Sequence, residues 1–472
     1  MKQLAALLVL LALPCPPRAA AAVPGAGVVA LLTHADAGRG LARPELFRRM
    51  AHRARARRRL LSAPANAQER PVRARVRAGL GGGGGGIVTN EYLLRVSVGT
   101  PPRPVALTLD TGSDLVWTQC EPCRGCFDQR LPLLDPAASS TYAALPCGAP
   151  PCRALPFASC GGGGGRGRGN RTCAYAYHYG DKSVTVGHLA TDRFTFGDAD
   201  AGGGGNAGDG GSLAARRLTF GCGHFNKGVF QSNETGIAGF GRGPWSLPSQ
   251  LNVTTFSYCF TSMFGSASSV VTLGSAPAAA LRGGAHVAGE VRSTPLLRNP
   301  SQPSLYFLSL HAISVGATRI PVPPPASASR RAASATAIID SGASVTTLPE
   351  DLYEAVRAAF AAQVGLPPAG GGAALDLCFA LPVAAALWRR RPTAVPALTL
   401  HLEGADWEMP RGNYVFEDLA ARVMCVVLDA APGGEQTVIG NFQQQDTHVV
   451  YDLENDRLSF APARCDRLVA SL

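Results

Sequence analysis

Several things are scarce in this chain of 472 residues, and each scarcity closes off a class of protein. Asp, Glu, Lys and Arg together make only 16% of it, well under the quarter or so usual in globular chains. With 46% apolar residues, that balance suits a chain that buries a real core. No apolar run reaches the eighteen or so residues a membrane span needs, which excludes a polytopic membrane protein. Sustained helical periodicity is also nearly missing, which excludes a helical bundle. A net basic excess is missing from most of the chain as well. The formal +11 sits in residues 1–86, with 15 Lys and Arg against 3 Asp and Glu, whereas the remainder carries 29 against 30. An argument for nucleic-acid binding from overall basicity therefore fails.

Gly (55) and Pro (36) are plentiful instead, and they cluster. Gly161 to Gly169, Gly202 to Gly211 and Gly370 to Gly372 read as surface inserts. One of them carries Arg166-Gly-Arg168-Gly, a single weak likeness to an RNA-binding box.

The N-terminus opens with Met1 and Lys2, then ten residues from Leu4 to Leu13, a break at Pro14 to Pro17 and an Ala run to Ala22. That is the layout of a secretory signal peptide over 1–22, with a transit peptide as the competing reading. Residues 41–61 set Leu46, Phe47, Met50, Leu60 and Leu61 among seven arginines from Arg48 to Arg59, a basic amphipathic helix. A solvated arm, an RNA-binding segment and a pro-segment lying over an acidic site are its three readings. Gly81 to Gly86 then form a linker.

Removing the signal peptide takes Cys15 and leaves twelve cysteines, an even set that reads in a secreted chain as up to six disulfides. Cys120, Cys123 and Cys126 share metal-knuckle spacing, but no second knuckle or His pair accompanies them, so no metal is expected. On the secretory route Asn170, Asn233 and Asn252 are glycan acceptors.

Beyond the glycines the pattern is short strands. Tyr92, Leu94, Val96 and Val98 alternate with Leu93, Arg95 and Ser97, and nine further strands follow to Val449–Tyr451. The one good helix starts after Pro349 and runs from Glu350 to about Val364. The chain is all-β, and it holds a faint repeat. An apolar strand enters Asp110-Thr111-Gly112-Ser113, and Ile237-Ala-Gly239 follows. A second enters Asp340-Ser341-Gly342-Ala343, and Val438-Ile-Gly440 follows. Two related halves, each with one Asp on a tight turn, imply a shared site. Two carboxylates held a few ångströms apart cannot both ionise and so share a proton. The base of such a pair activates water while the acid protonates a carbonyl or a leaving nitrogen, which is peptide hydrolysis without a covalent intermediate.

Asp110-Thr-Gly-Ser-Asp-Leu-Val-Trp117 and Ile338-Ile-Asp340-Ser-Gly resemble the two active-site signatures of pepsin-type (A1) aspartic proteases, from about Glu91 to Cys465. The Cys-rich stretch Cys120 to Cys160, the twelve cysteines and the ending Ile439-Gly-Asn-Phe-Gln-Gln-Gln-Asp446 are similar to the nepenthesin-like, atypical plant branch. The resemblance implies a bilobal fold with lobes at 87–285 and 286–472, preceded by a pro-segment and linker at 23–86. It implies Asp110 and Asp340 as the catalytic pair, supported by Thr111, Gly112, Ser113, Ser341 and Gly342. Tyr179 and Gly180 would form the flap over the substrate, with Trp117 bonded to Tyr179. It also implies the pairs Cys120–Cys123, Cys126–Cys222, Cys147–Cys173, Cys152–Cys160, Cys259–Cys465 and Cys378–Cys425. No cofactor is implied. The partners are a peptide or protein substrate met by a monomer, with no nucleic acid and no membrane span. The destination is the cell exterior, the vacuole or, on the transit reading, the plastid.

Two positions depart from that pattern. Ala343 stands where Thr or Ser is usual and has no hydroxyl to offer Asp340, so the dyad's acidic pKa and the pH optimum should lie higher than in relatives with Thr. An optimum unchanged in Ala343→Thr would count against this. Lys182 stands at the flap tip where a small residue, commonly Gly, is usual. The competing function is a binding protein on the same scaffold, like the plant xylanase inhibitors. Such a chain would be expected to lose an Asp signature or the flap, and this one keeps both.

Overall fold

The computed structural model describes residues 28–36, 40–50, 92–160, 172–180, 182–196, 214–230, 233–265, 268–274, 286–323, 336–369, 375–382, 394–431 and 436–470. Signal-peptide residues, the arginines from Arg53 to Arg59, the linker glycines, the Arg166 box and Asn170 lie outside them. Among the described residues the chain is mostly β, in sheets of fifteen, five, four and three strands.

The strand Tyr92–Val98 illustrates why. Tyr92–Val98 alternates in sequence, yet only Arg95 is exposed, because the sheet is covered on both faces. Tyr92, Leu94, Val96 and Val98 enter the main core. Leu93 packs on the other side with Ala35 and Ala106. A strand alternation that predicts one wet face is thus overridden by a second layer.

The repeat seen in sequence is a repeat in space. Arg103–Asp110 runs parallel to Gly236–Gly239, with Gly239 opposite Asp110. Ala337–Ile339 runs parallel to Thr437–Ile439. In each half an antiparallel strand closes the other side, Trp117–Gln119 in the first and Thr347–Pro349 in the second. The glycine ending each apolar pair is required by contact. A Cβ on Gly239 would lie 2.2 Å from the Asp114 backbone, and one on Gly440 would lie 2.5 Å from that of Val345. The segment after each Asp turn crosses directly over its glycine partner.

Strands from distant parts of the chain join under these two units. In the largest sheet Arg292–Pro295, Arg457–Pro462, Thr447–Asp452, Thr255–Cys259, Ser269–Leu273, Val28–His34 and Tyr92–Val98 lie side by side in that order. Val28–His34 therefore sits inside the sheet, paired on both sides. Of the basic segment 41–61, residues 43–50 are helical. Phe47 and Met50 are buried against Met263, Val345, Phe416 and Phe442. The Phe47 and Phe416 rings stack at 3.9 Å. The helix Glu350–Val364 carries Glu350 and Asp351 in its first turn and buries Leu352, Val356 and Phe360.

Four of the cysteine pairs implied by the resemblance are not those of the structure. Cys120 bonds Cys222, not Cys123, and Cys123 bonds Cys126. Cys147 bonds Cys160, not Cys173, and Cys152 bonds Cys173. Strand register gives the reason. Trp117–Gln119 runs parallel to Ala214–Lys227 with Thr118 opposite Cys222, which brings Cys120 next to Cys222 at a Cα separation of 5.3 Å. Cys123 and Cys126 are left together in the loop beyond. The short helix Pro150–Ala154 turns Cys152 inward onto buried Cys173. Cys147 then meets Cys160 at the base of the same loop, 5.6 Å apart. Cys259 bonds Cys465, and Cys378 bonds Cys425.

Candidate active site

Asp110 ends a buried strand and Asp340 follows one, and each then enters a turn. The turns face each other and are cross-bonded. Thr111 N–H donates to Ser341 Oγ at 3.0 Å, and Ser341 N–H donates to Thr111 Oγ1 at 2.8 Å. Ser341 Oγ in turn donates to Leu109 O at 3.0 Å. Thr111 Oγ1 lies 3.4 Å from Ile339 O. Each half thus reaches into the strand that carries the other's carboxylate. The two halves are close enough that a Cβ on Gly112 would lie 2.7 Å from Asp340 Oδ2, which is why the second turn residue has none.

Both carboxylates are buried, Asp110 at 0% and Asp340 at 2% exposure. Each has one oxygen held from two residues on. Gly112 N–H donates to Asp110 Oδ1 at 3.1 Å, and Gly342 N–H to Asp340 Oδ1 at 2.8 Å. The second oxygens differ. Ser113 Oγ donates to Asp110 Oδ2 at 2.6 Å, whereas the equivalent place beside Asp340 holds the methyl of Ala343.

The hairpin of Ala174–His178 and Val184–Phe196 closes with Tyr179 N–H donating to Ser183 O and Lys182 N–H to Tyr179 O. Lys182 has φ of 64°, the left-handed region that favours glycine. Tyr179 OH accepts a 2.7 Å bond from Trp117 Nε1. Burial pushes the Tyr179 phenol well above its ordinary range, with Tyr177 and Asp110 adding to the shift. Trp117 is fully buried and meets Phe230 edge-on. It therefore packs in the core and bonds the hairpin at the same time. Gly180 lies exposed at the tip.

Asp114 and Tyr177 complete the site and were not singled out from the sequence. Asp114 accepts from Ser304 Oγ and from Gly243 N–H. Burial raises its carboxyl pKa against those two bonds, and Asp110 adds to the rise. Tyr177 OH accepts from Asp114 N–H at 3.4 Å. The signal for Asp114 lay inside the quoted motif. Tyr177 alternates with Tyr175 and Tyr179, so the strand pattern alone does not say which of the three faces the Asp turns. Among the described residues no group of His, Cys, Asp and Glu could hold a metal ion.

Family profiles described as xylanase inhibitor N-terminal and C-terminal match residues 92–275 and 305–462. Aspartic proteinase nepenthesin-1 of Nepenthes gracilis is 36% identical over 93% of this chain and 90% of its own length. Aspartyl protease family protein 2 of Arabidopsis thaliana is 37% identical over 80% and 71%. The chain belongs to the pepsin-like aspartic protease family, in its nepenthesin-like plant branch. Among solved structures, soybean basic 7S globulin aligns at a TM-score of 0.59, covering 79% of this chain and 93% of its own at 19% identity. The crystal structure of edgp aligns at 0.59, covering 80% and 92% at 21%. That likeness concerns the fold alone.

Proposed function

We propose that this protein is an aspartic endopeptidase made as a zymogen on the secretory route. The observation that carries the reading is the pair of cross-bonded Asp turns, with both carboxylates buried and face to face. Like charges that close share one proton. The ionised member takes a proton from a water lying between them as that water attacks the peptide carbonyl. The protonated member gives its proton to the carbonyl oxygen; the tetrahedral carbon then collapses as the nitrogen takes the proton the base had gained from water, and the other carboxylate recovers its own from a hydroxyl of the diol. Ser113, Gly112 and Gly342 hold the acceptor oxygens in place. Thr111 and Ser341 fix the spacing between the turns. Tyr179, bonded by Trp117, covers the substrate and excludes solvent.

Residues 28–36 and 40–50 support the zymogen reading. Val28–His34 is an integral strand, and the buried face of helix 43–50 reaches Val345, five residues from Asp340. On this reading the arginines of the pro-segment act as an electrostatic mask for the acidic pair, and acid would weaken the mask as carboxylates protonate. Six disulfides favour an oxidising compartment, extracellular or lumenal. No described helix is long and apolar enough to cross a membrane. Of the acceptors, Asn252 is exposed on a turn and suits a glycan, whereas Asn233 Nδ2 is engaged with Ala35 O.

A non-catalytic binding protein is the second reading, favoured by the description of the matching family profiles. The two separate in one experiment. Acid-treated protein is assayed against a peptide library across pH, with pepstatin and Asp110→Asn as controls. Acid-side cleavage abolished by both establishes the endopeptidase. A folded, pro-segment-free protein that cleaves nothing at any pH refutes it.

A further inference from the structure

We propose that Asp114 is a positioning residue: with Ser304 it ties the first Asp turn to the strand that delivers the second Asp, and so holds the two carboxylates in register. The inference rests on the reading that Asp110 and Asp340 cleave peptides.

The tie starts from a glycine loop. Phe240 N–H donates to Asp110 O at 2.7 Å, and Gly241 N–H donates to Ser113 O at 2.8 Å. Gly243 N–H then donates to Asp114 Oδ1 at 2.9 Å. The loop thus grips the first turn along its whole length, from Asp110 to Asp114. Its glycines are set by the carboxylate they wrap. A Cβ on Gly241 would lie 2.4 Å from Asp114 Oδ1, and one on Gly243 would lie 2.0 Å from Oδ2.

The far side of the loop meets the second half of the chain. Arg242 N–H donates to Ser304 O at 2.9 Å, and Tyr306 OH donates to Phe240 O at 2.8 Å. Asp114 is the member of the turn that reaches this segment directly, because Ser304 Oγ bonds its Oδ2. Two residues on, Tyr306 O accepts from Ile339 N–H at 3.1 Å, and Phe307 pairs with Ile338. Asp340 follows Ile339. From Asp114 the path to Asp340 is one hydrogen bond, two residues, a second hydrogen bond and one residue.

The tie survives acid. Gly243 N–H can only donate, so Oδ1 accepts whether or not the carboxyl is ionised. Ionised, Asp114 accepts from Ser304 at Oδ2. Protonated, it carries its proton on Oδ2 and gives it to Ser304 Oγ. Burial favours that neutral form. At 8% exposure little water can stand in for either bond. An Asn at this place would copy the neutral acid, with its oxygen toward Gly243 and its amide N–H toward Ser304.

A tie that fixes the turns relative to one another acts on the chemical step rather than on substrate affinity. The assay uses acid-activated protein, active sites counted by pepstatin titration and a fluorogenic peptide. Ser304→Ala should lower kcat about fivefold, the worth of one hydrogen bond, with KM within about twofold of the parent. Asp114→Ala loses both bonds and should lower kcat by about tenfold or more. Asp114→Asn should keep kcat within about twofold of the parent. Combining Ser304→Ala with Asp114→Ala should cost nothing beyond Asp114→Ala, since the bond is already gone. A kcat within about twofold of wild type in Ser304→Ala overturns the tie. So do losses that multiply in the double variant, an Asn variant no better than the Ala one, or a change confined to KM. Failure of Ser304→Ala to fold overturns it too, by making the pair a folding element. If Asp114→Ala alone fails to fold, Ser304→Ala and Asp114→Asn decide. A wild-type protein that cleaves nothing sinks the proteolytic reading and this one with it. A wild type that cleaves beside unaffected variants sinks the tie alone.

Discussion

Replacing Ser113 by Ala should move the acid limb of the pH–rate profile upward by about one unit. Ser113 Oγ donates to Asp110 Oδ2 at 2.6 Å from a buried position. A hydrogen bond to an ionised carboxylate is worth about 1.5–3 kcal/mol when nothing replaces it. Cleft water replaces part of it, so the lower end applies, and about 1.4 kcal/mol corresponds to one pKa unit. The bond stabilises only the anion. Its loss therefore raises the apparent pKa at which the doubly protonated pair gives up its first proton. That value belongs to the pair and is read from the limb as such. The assay is kcat/KM on an internally quenched peptide across acid pH at fixed ionic strength. One unit below the native limb, the variant should be about tenfold slower, while on the plateau the two should be similar. A limb that stays put, or moves to lower pH, would refute the reasoning.

Ala343→Ser places a hydroxyl beside Asp340 and should shift the same limb down by about half a unit to one unit, the opposite sign to Ser113→Ala. Phe47→Ala empties the place against Phe416 and Phe442, at a cost to docking of about 3 kcal/mol or more. Acid conversion of the full-length chain, followed on gels, should speed up, and an unchanged half-time would separate this helix from the mask. His448 is buried 3.0 Å from His286 and bonded to Ser257, and burial, with His286 adding, lowers its pKa to about 4. The unfolded chain thus binds its proton first as pH falls from about 6.5, so stability drops between there and about 4, by about 3 kcal/mol at most. His448→Gln should flatten the Tm–pH curve in that window. Proteolysis without reduction, followed by mass mapping, should recover Cys120 joined to Cys222 and Cys152 joined to Cys173.

What the sequence made legible was local chemistry repeated. The Asp turns, the glycine partners Gly239 and Gly440, and the helix from Glu350 all declare themselves within a few residues, because turn sterics and capping are short-range. Cysteine pairing did not, since Cys120 chooses Cys222 through a parallel register a hundred residues away. Ser304 under Asp114 was illegible for the same reason, because it belongs to a loop whose neighbour is fixed only by the whole fold. Nor could periodicity show that Tyr92–Val98 is covered on both faces, for the second cover includes Ala35, far upstream.

The order of strands in that sheet also bears on how the chain comes to fold. Thr255–Cys259 has its neighbours at Ser269–Leu273 and Thr447–Asp452, so one edge stays open until Thr447–Asp452 has left the ribosome. The Cys259–Cys465 crosslink spans 206 residues and can form only then. Pairings so distant in sequence make assembly slow. During that wait Val28–His34, already synthesised, can pair with both Tyr92–Val98 and Ser269–Leu273 and leave neither edge bare to another chain. A chain lacking its first fifty residues should therefore aggregate during refolding more readily than the full-length protein, whatever its activity once folded.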